Sequence, residues 1–271
     1  MTLGRTAWML RRRILGSERV VIGDQVKALR MAKELGWRAR LRIRALHVRE
    51  VVLGPPRTAR IPIAGTSVEL GASRDFPIDW KAFVEVFGWH EYATASYRNA
   101  HVLDVGAHKG YFGAFALSSG AAVVRSFEPA AENYAALERA ASPLQPRWTT
   151  RNAAVGATSG EGVLHLDRSS WAHSLLDVER PVGEQSVDIV TLEEALAELP
   201  AGGSVTIVKI DAEGSECDIL ARPESLERVD VLLVEWHSSA PCSVEELTRV
   251  IGSAGLITTE RFGGALQFKR R

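Results

Sequence analysis

The stretch "LDVGAHKGYFGAFALSSGAAVVRSFEP", residues 103–129, decides how this chain folds. An apolar run meets a glycine turn with Gly106 and Gly110 four residues apart, and a helical segment follows. A second apolar run then ends in an acid, Glu128, and Pro129 closes it. Strand, turn, helix and strand in this order predict a βαβ unit with parallel strands. Proline at such a point ends a strand and suits the first turn of a helix. Open sheets of this kind bind ligands beyond the carboxyl ends of their strands. The glycine turn and Glu128 both fall there.

The same alternation runs outward from this unit. "HVLDVGA", "AAVVRSFEP", "RWTTRNAAV", "SVTIVKIDAEG", "VDVLLVEWH", "LITTERF" and "ALQFKR" are strand candidates, with helices expected over 110–119, 130–141, 215–222 and 243–254. The last two strands are separated only by a short turn at Gly263 and Gly264, so they should be antiparallel. Upstream, "DQVKALRMAKELGWRARLRIRAL" and "DWKAFVEVFGWHEYATA" read as helices and "ARIPI" with "TSVEL" as a hairpin. The expected division is an N-terminal extension of helices and a hairpin over 1–95 and a mostly parallel α/β domain over 96–271.

At 271 residues and 46% hydrophobic content, the chain can bury a large core. It holds no apolar run of 18 residues and no apolar signal-peptide segment, so a cytoplasmic protein is expected. Cys217 and Cys242 lack metal-ligand spacing and suggest no disulfide framework. The net charge of zero conceals an asymmetry. Residues 1–60 hold 15 Lys or Arg against 4 Asp or Glu, and the remainder holds 18 against 29. Such a basic arm suits an anionic surface or partner, or docks on the acidic body of the chain itself.

The turn "DVGAHKG" matches neither the G-x-G-x-x-G fingerprint nor a phosphate-binding G-x-x-x-x-G-K-[ST] loop. Asp104 before it would repel a diphosphate. It suits a ligand with an amine and a sulfonium, and S-adenosylmethionine (SAM) is one. Glu128 can accept both hydrogen bonds from a ribose diol, as the acid at that position does in dinucleotide folds.

"VLDVGAHKGYFGAFAL", "SFEPAAENYAALERA", "RNAAVG" and "VKIDAEGSECDIL" together resemble the FkbM family of SAM-dependent methyltransferases, over roughly residues 80–270. The resemblance implies a class I methyltransferase sheet, mostly parallel with an antiparallel last strand. It also implies methyl transfer to a hydroxyl of a sugar or secondary metabolite. By position it places Asp104, Gly106, Ala107, His108 and Gly110 at the methionine end of SAM. Glu128 and Pro129 fall at the ribose, Asn133 behind that loop, and Asn152 and Ala153 beside the adenine. His108 stands where the family usually has Asn.

The tip "KIDAEGSE" gathers Lys209, Asp211, Glu213 and Glu216. Asp211 and Glu213, two apart, point to one side of an extended chain and are expected to act on cofactor or substrate. Glu216 reads as a helix N-terminal charge. At the next tip, "VEWH", His237 is the first candidate for the base that removes the hydroxyl proton, with Asp211 second. Asp211, Glu235 and His237 could form a metal triad, but the paired acids usual in metal-dependent relatives are missing, so no required metal is expected. Tyr92, His173 and Ser174 are candidates for the acceptor pocket, and Trp80 and Trp89 for packing. An RNA or nucleic-acid methyltransferase using the basic arm, or a non-catalytic SAM-fold binding protein, are the alternatives. A homodimer is compatible with the sequence and not specified by it.

Overall fold

The computed structural model describes residues 25–26, 29, 32–53, 56–71, 76–89, 91–92, 96–177, 181–202, 205–262 and 265–271. The first part of the proposed arm, residues 1–24, lies outside them. Helix α1 spans Trp37–Leu53 and leads to a hairpin of β1 (Ala59–Ile63) and β2 (Thr66–Leu70). Ala64 and Gly65 turn it with φ of 47° and 88°, the left-handed pair that matches strand twist in a two-residue loop. Helix α2 (Phe76–Phe87) follows.

Next come β3 (His101–Val105), α3 (Tyr111–Ser118), β4 (Val123–Phe127), α4 (Ala131–Ala141) and β5 (Trp148–Arg151). After a three-stranded insertion, β9 (Thr206–Ile210) and β10 (Val231–Glu235) complete the parallel part, with short α6 (Glu216–Ile219) between them. Helix α7 (Val244–Ser253), β11 (Leu256–Phe262) and β12 (Ala265–Arg270) end the chain. The seven-stranded sheet runs β11-β12-β10-β9-β3-β4-β5. Only β12 and β11 are antiparallel to their neighbours. The expected mostly parallel sheet with antiparallel last strands is what forms.

Alternate residues on each strand feed two cores. Val102, Val124, Ile207 and Leu233 pack against α2, α3 and α4. Leu103, Val105, Val208, Ile210 and Leu232 pack against α5 (Leu192–Ala197) and α7. The first of these cores also contains Leu29, Ile61 and Trp80, so no break in packing separates residues before 96 from those after. Tyr111 donates to the carbonyl of Glu69 at 2.8 Å, and Thr66 to that of Ala140. Part of the basic excess is absorbed locally, since Glu69 pairs with both Arg60 and Arg139.

Three features depart from the sequence reading. The run around Asn152 is two strands, β5 and β6 (Ala154–Gly156), not one. β6 joins β8 (Gly183–Thr191) and β7 (Gly160–Leu166) in a separate sheet that the sequence reading did not include. And Cys217 is bonded to Cys242, although their spacing suggested no disulfide framework. Among the described residues no helix is long and apolar enough to cross a membrane.

Candidate functional site

Sheet order reverses at β3: the chain moves to β4 and β5 on one side, and later to β9 and β10 on the other. A cavity of about 390 Å³ opens at the carboxyl ends of these strands. It is lined by Gly106, Ala107, His108, Glu128, Pro129, Asn133, Ala153, Asp211, Glu213, His237, Tyr92 and His173, as expected. Gly106 holds φ 70°, and a Cβ there would lie 1.8 Å from the carbonyl oxygen of Asp211. Only glycine lets the β3 and β9 tips close on each other.

Glu128 is held at the cavity wall by two backbone donors. The N–H of Ala130 reaches Oε1 at 3.0 Å and that of His108 reaches Oε2 at 2.7 Å. Burial outweighs these bonds and pushes its pKa up to about 7. Asn152 donates to the carbonyls of Glu128 and Pro129 at 2.8 and 2.9 Å, so it shapes this loop without lining the cavity. Asn133 donates to the carbonyl of Ser170 at 2.6 Å, while its Oδ1 is buried without a hydrogen bond. A paired diol acceptor and an orphaned carbonyl oxygen fit a nucleoside well.

Asp104 and Gly110, also expected against the ligand, do not line the cavity either. Asp104 is wholly buried under the turn, where Ser126 donates to it at 3.2 Å and Lys209 Nζ stands 3.5 Å away. Its role is to fix Lys209. That lysine donates to the Gly106 carbonyl at 2.7 Å and pairs with Asp211 at 3.2 Å. Burial opposes its charge, but Asp211 and Asp104 hold its pKa above the ordinary lysine value. Gly110, φ 87°, faces Leu137 and Trp148 rather than the cavity. His108 also has φ 50°, and burial and the Lys109 charge hold its imidazole well below the usual pKa.

The far end of the cavity is acidic. Burial opposes a charge on His237, but its hydrogen bond to Glu216 and the charges of Asp211 and Glu213 raise its pKa to about 10. These partners favour the protonated ring, which opposes the expected role as base. Glu213 sits at φ 49°, and burial and Asp211 push its pKa up to about 8. Glu235 accepts from the Tyr92 hydroxyl at 2.8 Å, and the acid that groups with Asp211 and His237 is Glu213. Glu216 is no exposed helix charge: it is fully buried and lies 2.8 Å from His237 Nδ1. Ser174 does not line the cavity; its hydroxyl donates to the Glu213 carbonyl at 2.7 Å and so sets that loop.

The segment "DRSSWAHSLL", residues 167–176, is expected to help recognise the acceptor, but the contacts that Ser170 and Trp171 make at the cavity were not foreseen. Lys81 stacks over Trp171 at 4.1 Å, and Ser170 Oγ is shared by His108 and Lys109. All of these contacts are long-range, so no local pattern announced them.

A family model described as the methyltransferase FkbM domain matches residues 104–255. Among solved structures, an FkbM methyltransferase from Methylobacillus flagellatus KT is 14% identical, with a TM-score of 0.47, covering 91% of this chain and 59% of its own. A TehB-like SAM-dependent methyltransferase from Corynebacterium glutamicum is 10% identical with a TM-score of 0.38, covering 73% and 98%. A ribosomal protein L11 methylase from Lactobacillus delbrueckii subsp. bulgaricus is 12% identical with a TM-score of 0.36, covering 63% and 70%. No curated protein matches the sequence.

Proposed function

We propose that this chain, which belongs to the FkbM methyltransferase family, moves a methyl group from SAM to a hydroxyl of a sugar or secondary-metabolite alcohol. Membership makes it a methyltransferase; cofactor and acceptor are our reading. The observation that carries it is Glu128, whose two oxygens are each fixed by a backbone N–H and face a cavity of nucleoside size. When bound, SAM supplies an electrophilic methyl on a sulfonium.

The chain's own residues do the rest. Glu128 accepts the ribose diol, and the Asn133 carbonyl oxygen accepts a donor from the same ligand. Asp211 and Glu213 face the acidic end of the cavity, where the acceptor hydroxyl must lose its proton as its oxygen attacks. Where no cation holds the pair, either carboxylate is placed to take that proton. His237, held as a cation, offsets the like charges around it. Trp171, Tyr92 and His173 give the apolar faces and polar edges that suit a glycosidic or polyketide alcohol.

Calorimetric titration with SAM and with NAD tests the cofactor, and a panel of alcohols with labelled SAM tests the acceptor. Binding of NAD in preference to SAM would overturn the reading.

A further inference from the structure

We propose that Asp211, Glu213 and His237 form a divalent-cation site, with the ion displacing the Nε2 proton of His237 and the imidazole ligating through that nitrogen. One ligand atom from each lies within 4.8 Å of the others. Nε2 stands 3.8 Å from Asp211 Oδ1 and 3.4 Å from Glu213 Oε2. Both gaps exceed a charge-assisted hydrogen bond. Ligand atoms about 2.1 Å from one ion, at right angles, stand about 3 Å apart. The two gaps at Nε2 need to close by less than about one ångström to reach that geometry.

The imidazole is already aimed. Its Nδ1 meets Oε1 of the fully buried Glu216 at 2.8 Å. A ligating histidine almost always gives its other N–H to a carboxylate, which fixes tautomer and ring orientation. Glu216 is itself fixed by the N–H groups of Ala212 and Gly214, each at 3.1 Å. Its second oxygen is buried without a hydrogen bond, so this carboxylate is committed to the cluster and unsatisfied within it. Glu216 is therefore a positioning residue, and the ligands are the other three.

Charge points the same way. Asp211, Glu213 and Glu235 line one end of the cavity with Glu216 buried behind His237, and the nearby Lys209 is shared with Asp104. A cation between Asp211 and Glu213 relieves that excess. Two carboxylates and one imidazole suit Mn²⁺ or Zn²⁺ better than Mg²⁺. Three protein ligands also leave coordination positions open toward the cavity. What the ion does there, holding the acceptor oxygen, rests on the methyl-transfer reading above; that it binds does not.

The test uses the full chain, stripped with a chelator and titrated with Mn²⁺ while paramagnetic resonance reads the free ion. One Mn²⁺ per chain is expected, weakened tenfold or more in Glu213→Gln and His237→Ala. In Glu216→Gln a 10- to 100-fold loss is expected, as for other outer-shell partners. Glu184→Gln should leave binding unchanged; it removes an acid 3.6 Å from His165, a separate histidine with exposed acidic neighbours. Parallel titrations with Zn²⁺ and Mg²⁺ rank the metals, and thermal melts confirm that each variant is folded. Stoichiometric Mn²⁺ binding that survives in the folded Glu213 and His237 variants overturns the proposal. So does a wild-type chain that binds SAM but no Mn²⁺, which leaves the methyl-transfer reading intact. A chain that takes Mn²⁺ through these residues yet never binds SAM supports the cation site and sinks that reading instead.

Discussion

Lys109 Nζ and Asp79 Oδ1 meet at 2.6 Å with both side chains completely buried. The pair joins the glycine turn after β3 to helix α2, and Asp79 also accepts from the N–H of Gly71. The cavity's front wall is thereby fastened to its floor. Removing one member of a buried pair strands the other charge and costs about 3–5 kcal/mol. Asp79→Ala should therefore destabilise the chain by about that amount in urea denaturation. Replacing both with Leu and Met should recover most of it. A single variant that unfolds at the wild-type midpoint would contradict this assignment.

On the methyl-transfer reading, Glu128 should make SAM binding depend on pH. Its pKa, pushed up to about 7, lies above the ordinary carboxylate value of 4.5. The folded state therefore holds the proton more tightly than the unfolded one. This group's contribution to stability is complete below pH 4.5 and is lost as pH rises to about 7. A ribose diol donates to the charged form, so SAM affinity should rise between pH 6 and pH 8. Glu128→Gln should flatten that profile and weaken binding about 10- to 100-fold, the range for a hydrogen bond to a charged group. Calorimetry at three pH values measures both effects.

How much of this was legible in the sequence depends on the range of each interaction. The unit from Leu103 to Glu128 was readable because strand, turn and helix periodicities are local, and the acid stands at a strand tip. The same holds for the hairpin turn at Ala64 and Gly65. Asp79 and Lys109 are 30 residues apart and meet only when α2 docks, so neither advertised its partner. Asp104 was placed at the right strand end but on the wrong level. A residue's height above the sheet is set by which face its side chain takes, and in a strand buried on both faces composition does not reveal that. Glu216 likewise read as a helix-end charge. Only the return of β10 brings His237 against it.

The disulfide fixes that same contact. Cys217 follows Glu216 directly, Cys242 lies five residues beyond His237, and the bond joins positions 25 apart. Closing such a loop stabilises the folded chain by about 3 kcal/mol in the chain-entropy model. Reduction, or Cys217→Ser with Cys242→Ser, should lower the melting temperature by several degrees. It should also reduce turnover more than SAM affinity, because the tether sits at the acidic end and not at Glu128. Equal losses in both would show that the bond supports the whole fold instead.

Lys209 offers the sharpest separation of scaffold from ligand contact. Its ammonium is nearly buried between Asp104 and Asp211 and braces the Gly106 carbonyl. In Lys209→Met, Asp104 keeps only the Ser126 hydroxyl among these polar contacts and must take up a proton or remain an uncompensated charge. The expected cost is about 3–5 kcal/mol, with loss of SAM binding because the glycine turn is no longer held. Adding Asp104→Asn should restore part of the stability by removing the stranded charge. Asp104→Asn alone should lower stability while leaving SAM affinity, measured where the variant is folded, within a few-fold of the parent. A much larger loss of affinity in a folded Asp104→Asn would mean that this carboxylate reaches the cofactor after all, and that the turn opens when it binds.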